Sequence, residues 1–285
     1  MVAGTGFLLA LLPAGAYAGA WTQPQGEGFA RLTYERYRTT EKFAPSGERV
    51  SLAGNLDAEF VRQSVHQYVE VGVLERLTAL GNFYYDFLSY GQSDLRTPLT
   101  KSGFSDQEIG LRYAALREPV VLAVQASLRF PAGYETESPP PPAAQPPRLG
   151  SGAWGTEARL AAGKGFGHRW SQGFVNAEVG YNTRWSGFAD QLKIEVIVGY
   201  KGLPRVELQP AWRYTKTLGE VSPNPELTNP LADSVFDLHR LELLAVVRIW
   251  RWFHVEGSGF AHVAGRNVGA GSGVEFGVRG VWPEP

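Results

Sequence analysis

From residue 28 onward, apolar and polar residues alternate with a period of two, the spacing that sends successive side chains to opposite faces of a strand. The clearest run is Leu192, Lys193, Ile194, Glu195, Val196, Ile197, Val198, Gly199, Tyr200: one face is Leu, Ile, Val, Val and Tyr, the other begins Lys, Glu. The next segment sets Val206, Leu208, Pro210, Trp212 and Tyr214 against Glu207, Gln209, Ala211, Arg213 and Thr215. A third sets Leu241, Leu243, Ala245, Val247 and Ile249 against Arg240, Glu242, Leu244, Val246 and Arg248. About twelve such segments occur, near 28–38, 62–73, 77–88, 105–115, 120–131, 155–164, 172–184, 189–200, 204–216, 236–249, 253–264 and 270–282. An even number of roughly ten-residue strands is what a closed antiparallel transmembrane barrel of the bacterial outer membrane requires. No long helical pattern interrupts them, so residues 21–285 are predicted as one all-β unit.

The connections alternate in length. Short ones fall at 74–76, 116–119, 165–171, 201–203 and 250–252, and longer ones at 39–61, 89–104, 132–154 and 217–235, with exceptions near 185–188 and 265–269. Outer-membrane barrels have short periplasmic turns and longer outer loops, and a chain that starts and ends in the periplasm puts every short turn of the first group on that side. Trp170, Trp250, Trp252 and Trp282 then fall at inner strand ends and Trp154 and Trp185 at outer ends, as two interfacial aromatic girdles would. A water-soluble β-sandwich with core tryptophans is the competing architecture. The last strand carries Glu275, Gly277 and Trp282, an order resembling the C-terminal assembly signal of outer-membrane barrels, although Gly280 takes an apolar position and Pro283-Glu284-Pro285 follows.

Ahead of the strands, Gly6 to Tyr17 is an apolar run of about a dozen residues, too short for a membrane-spanning helix. It meets Ala16-Tyr17-Ala18 and Ala18-Gly19-Ala20, both of the small-x-small form that signal peptidase accepts, which predicts a secretory leader over 1–20 even though no Lys or Arg precedes the apolar core. The absence of cysteine excludes a lipoprotein start, a disulfide framework and thiolate metal or redox chemistry. A net charge of -1 gives no reason to expect a nucleic-acid partner. Thirty-four glycines, 12% aromatics and one Met describe a β-rich chain.

On the face expected to turn inward stand Arg31, Glu35, Glu70, Glu108, Arg112, Arg129, Glu157, Arg159, Glu178, Arg184, Lys193, Glu195, Glu207, Arg213, Arg240, Glu242, Arg248, His254, Glu256, Glu275 and Arg279. Both signs recur on nearly every strand. That predicts cross-strand Glu/Arg ladders that hold the wall in register; the functional alternative is a selectivity lining, where mixed signs favour neutral, polar or large solutes over either ion class. Residues 134–154, an outer loop, contain Pro139 to Pro142 and Pro146-Pro147, a composition that favours extended polyproline, and are read as a plain disordered loop first, with a partner-binding strut or a fold-in lid as alternatives.

Signals for catalysis are few. Asp237-Leu238-His239 resembles half of the omptin protease site, but its alternation partners Leu241 and Leu243 turn it toward lipid and no second Asp-x-Asp pair appears. His254, Glu256 and His262 share a face, yet the two histidines lie about 26 Å apart at strand rise and cannot share a metal. Gly163-Lys164 lacks the rest of a phosphate loop. No enzyme, metal or cofactor is expected.

The segment Ala20-Trp21-Thr22-Gln23-Pro24-Gln25-Gly26-Glu27-Gly28, with Tyr68 to Thr78, resembles the XagA-type outer-membrane proteins; Gly110-Leu111-Arg112-Tyr113 and Gly180-Tyr181-Asn182 are similar to strand motifs in that group and in barrels linked to the meta-pathway of phenol degradation. The resemblance implies a porin-like barrel tied to surface polysaccharide, adhesion or biofilm formation, or to uptake of small aromatic compounds. The expected surroundings are outer-membrane lipid and lipopolysaccharide, the barrel-assembly machinery during biogenesis, and envelope proteins met through the loops. A non-conducting barrel that anchors an envelope-spanning adhesion or surface-motility complex is the alternative.

Overall fold

The computed structural model describes residues 19–54, 56–134, 147–168, 171–185, 188–219 and 232–282. The predicted leader up to Ala18, Trp170 and most of the proline-rich loop lie outside them.

Fifteen strands form among the described residues: β1 Gly28–Thr39, β2 Glu41–Phe43, β3 Arg49–Ser51, β4 Ala58–Leu74, β5 Leu77–Gln92, β6 Leu99–Phe104, β7 Asp106–Leu116, β8 Val121–Pro131, β9 Gly155–His168, β10 Ser171–Arg184, β11 Asp190–Leu203, β12 Val206–Leu218, β13 Ala232–Arg248, β14 Phe253–Gly269 and β15 Ser272–Trp282. Twelve of them, all but β2, β3 and β6, pair antiparallel with their neighbours in chain order, and β1 closes on β15 from Gly28↔Trp282 to Arg38↔Ser272. The wall is therefore a closed twelve-stranded barrel, and closure leaves it no unpaired edge.

The three short strands fall in segments expected to be loops. β2 and β3 form a hairpin on the first long connection, with β2 pairing onto β14, and β6 continues the wall above β7. β4 likewise starts at Ala58, and β14 runs to Gly269, so that only Ala270-Gly271 separates it from β15. Backbone N–H and C=O groups still need partners beyond the apolar band. There, however, the outward face no longer meets lipid, so pairing continues after the alternation that signals it has ended.

Burial is inverted relative to a soluble protein. Leu32, Leu160 and Phe276 are 50, 61 and 59% exposed, while Glu70 and Asn176 are wholly buried. An apolar outer face around a polar interior is stable only where the surroundings are lipid. Trp154 and Trp185 stack with ring centroids 6.3 Å apart at the end bearing the long connections, and Trp250, Trp252 and Trp282 are exposed at the other.

One irregularity in the wall matters for the site. Residues 83 and 84 of β5 face three residues, 105 to 107, because the register steps from Tyr85↔Phe104 to Asn82↔Glu108. The amide of Gln107 fills this bulge: its oxygen accepts from Tyr84 N, and its nitrogen donates to Tyr84 O, both at 2.9 Å. Bulges re-aim neighbouring side chains, and the neighbour here is Asp106.

Candidate functional site

The inward charges pair across strands in several clusters. Arg159 bridges Glu157 and Glu178 at 2.5 and 2.6 Å, and Lys193 reaches Glu157 at 2.5 Å. Arg213 joins Glu195 to Glu242, Arg240 joins Glu242 to Glu35, and Arg31 joins Glu256 to Glu275. Arg129 pairs with Glu108 at 3.2 Å, and Arg279 lies 3.5 Å from Glu256. Glu70 pairs with Arg112 at 2.6 Å, and Glu207, Arg248 and Arg184 of the predicted set sit at strand ends outside these pairs. Glu207 accepts from Gln209, Arg248 donates to Pro204 O, and Arg184 donates to Ala189 O with its guanidinium over Phe188. Arg62 and Asp86 belong to the network as well, with Arg62 3.6 Å from Glu35 and 3.3 Å from Asp86. Parity could have found both, since Arg62 shares its face with Glu70 and Asp86 shares its face with Tyr84.

At the short-turn mouth the segment from Gly19 to Gly26 enters the barrel as a strap. It leaves the foot of β1, where Gly26 N donates to Gly72 O at 2.9 Å. Gln23 comes next: its backbone N–H donates to Thr78 Oγ1 at 2.8 Å and its side-chain amide to Glu70 Oε2 at 2.7 Å. The Trp21 carbonyl accepts from Arg112 Nη1 at 3.1 Å, while that same nitrogen holds Glu70 Oε1 at 2.6 Å. The strap ends on β8, β9 and β10. There Ala20 is wholly buried against Ala123 and Ala161, and its N–H donates to Asn176 Oδ1 at 2.9 Å. β10 is six strands round from β1, so the strap reaches the opposite side of the wall.

The wall is shaped to receive it. The Trp21 ring meets Phe174 edge-on at 5.6 Å and lies so close to Gly163 that a Cβ there would stand 2.5 Å from it. Gly163, noted above beside Lys164, is thus a contact point for an indole ring. Sequence reasoning weighed only charges on the inward face and missed the strap. Its signal was the run of small or short side chains at the inner ends of three successive strands: Ala123, Ala161, Gly163 and Asn176.

The opposite mouth is narrowed by apolar side chains. Inward-facing Tyr37, Phe60, Leu88 and Phe260 pack with Leu52 and Leu149, which come from the long connections. Asp106 latches the second of these. Its carboxylate accepts from the Ser151 N–H at 2.9 Å, from Ser151 Oγ at 2.7 Å and from the Tyr134 hydroxyl, which in turn accepts from Gly152 N. Burial, then the Asp106 charge, pushes the Tyr134 hydroxyl well above its ordinary range, so it remains a donor to the latch. Hydrogen bonds to a charged group are worth about 1.5 kcal/mol or more each, so losing the two to Ser151 alone shifts the local opening equilibrium by roughly a hundredfold or more. Asp106→Ala should expose the Arg148–Leu149 bond, and trypsin added to whole cells should cut there correspondingly faster. An unchanged cleavage rate would remove the latch.

The candidate catalytic groups do not assemble. Asp237 pairs with Arg266, and His239 stacks on Tyr214 at 4.4 Å. His262 donates to Gly269 O at the outer end of β14, far along that strand from His254, and no metal-competent group of three is found among the described residues.

No known family pattern and no curated protein matches the chain. Among solved structures it is similar to the COG4313 outer membrane channel from Pseudomonas putida F1, at a TM-score of 0.66 and 15% identity over 94% of this chain and 98% of that one. The β domain of the Bordetella autotransporter BrkA (TM-score 0.49, 10% identity, 90% of this chain and 99% of that one) and the NanC porin (0.46, 7%, 88% and 98%) are more distant. Similarity at this level speaks for architecture, and together with the apolar belt and the closed strand ladder it establishes the chain as an outer-membrane β-barrel, set in the lipid and lipopolysaccharide of that membrane.

Proposed function

We propose that this barrel is a passive conduit whose inner mouth is closed by its own N-terminal strap. One observation carries the reading: both mouths are occupied by segments inserted from outside the wall, while the wall's inward face between them is lined by paired charges. Ser258, Glu275, Glu35, Ser64 and Asp86 form a single register row across five strands. The hydroxyls of Thr33, Ser64, Ser127 and Ser258 are buried without a protein partner among the described residues, and groups of this kind are satisfied by water. A barrel built only as an anchor has no need of a wet, charged interior behind removable segments.

Because acidic and basic groups pair throughout the interior, the conduit suits neutral, polar or large solutes better than simple ions of one sign. The XagA-type resemblance favours surface saccharides, and the phenol-pathway resemblance small aromatic compounds. The purified, folded protein is expected to show discrete conductance steps in planar bilayers, with a reversal potential near zero in a potassium chloride gradient. Silence at every voltage and pH would overturn the conduit. The second reading, a non-conducting anchor for an envelope complex, draws on the occupied mouths. It requires that deleting residues 138–147 abolish a co-purifying partner while the barrel stays folded.

A further inference from the structure

The two small-x-small sites allow the leader to be cut after Ala18 or after Ala20, and the two products differ only in whether Gly19-Ala20 stays with the barrel. We infer that the cut falls between Ala18 and Gly19, and that the new N-terminal Gly19-Ala20 is the seated tip of the strap. Water adds across the Ala18–Gly19 amide under the leader peptidase: Ala18 keeps the carboxylate, and Gly19 leaves with a free α-ammonium.

The site is fitted to this product. Ala20 is wholly buried between Ala123 and Ala161, and its N–H satisfies Asn176 Oδ1, which belongs to a residue with no exposed surface of its own. A Cβ on Gly19 would stand 2.4 Å from the Asn176 amide, so the tip has room there only for glycine. A chain beginning at Trp21 would lose all of this and leave the Asn176 carbonyl buried without its donor, a loss that costs about 1–3 kcal/mol for such a group.

Cleavage after Ala18 also supplies charge where the wall can use it. Asn176 Nδ2 donates to Glu178 Oε1 at 2.9 Å, so the ammonium arrives one side chain away from a carboxylate whose other oxygen is held by Arg159. Before the cut Gly19 N is a neutral amide. The closed inner mouth is thus completed only after export, by the same hydrolysis that frees the barrel from its leader.

This inference rests on the strap as the inner closure and on residues 1–18 being a leader. N-terminal sequencing of the full chain extracted from outer membranes tests it. A start of Gly-Ala-Trp is expected; a start of Trp-Thr-Gln in half or more of the chains overturns it, and a start at Met1 overturns the leader together with it. Neither result bears on whether the barrel conducts, which the bilayer recordings decide separately. Ala16→Asp gives a second readout, since a charge at that position blocks only the first site. That variant should begin at Trp21 and stay open longer in bilayers than the wild type, and identical open times in the two would count against a seated tip.

Discussion

Removing Trp21 to Gly26 while keeping the leader and both cleavage sites should raise the time-averaged current through the reconstituted barrel by roughly ten- to a hundredfold. The strap's polar contacts at Thr78, Glu70, Arg112 and Asn176 are worth about 1 kcal/mol net each. The cost of ordering the segment opposes them, so closure is held by a few kcal/mol at most. Each 1.4 kcal/mol is a factor of ten in the open fraction, and the deletion removes the whole bias. A synthetic Gly-Ala-Trp-Thr-Gln-Pro-Gln-Gly peptide should restore the block when added on the side of the short turns, and leave the current unchanged when added on the other. Equal currents from the full and shortened chains would show that the strap is packing and no gate.

The second large effect is expected at Arg112. Its side chain is 5% exposed, that of Glu70 is fully buried, and between them they hold the Trp21 carbonyl and the Gln23 amide. Breaking a buried ion pair from one side leaves an uncompensated charge and costs about 3–5 kcal/mol. Arg112→Ala should therefore lower the temperature at which the unboiled, fast-migrating form is lost on gels, and it should open the inner mouth. Replacing both residues by Met should recover much of the thermal stability, since apolar groups of similar volume often match a buried pair. The double variant should still conduct like the strap deletion, because two of the strap's anchors are gone. If it regains both stability and closure, the pair serves the wall alone and the strap is held elsewhere.

The charge network bears on the same separation of roles. Arg31 and Arg213 each join carboxylates on two other strands, and Arg159 and Arg240 each join a carboxylate of their own strand to one on another, which locks the register of a wall whose outer face offers only lipid contacts. The strap and the Asp106 latch depend on a few hydrogen bonds each, and such segments open locally long before the ladder does. Wall and closures thus differ in stability by construction, as the proposed closure of a conduit needs.

The sequence by itself determined the wall. Strand identity rests on a period-two pattern that is local, and the membrane imposes it so strictly that all twelve barrel strands stand where alternation put them. Ion pairing was legible in outline for the same reason, since parity alone sends Glu157, Arg159, Glu178 and Lys193 to one side. Tertiary structure decided what the pattern could not encode. Strands β2, β3 and β6 lie above the apolar band, where alternation has no lipid to answer to. The bulge that turns Asp106 toward Ser151 comes from a one-residue register step between β5 and the strand beside it. The strap has no periodicity at all. Its site exists only once closure brings Glu70, Arg112 and Asn176, which together span more than a hundred residues of the chain, around one mouth, and only then does a short polar segment have anything to bind.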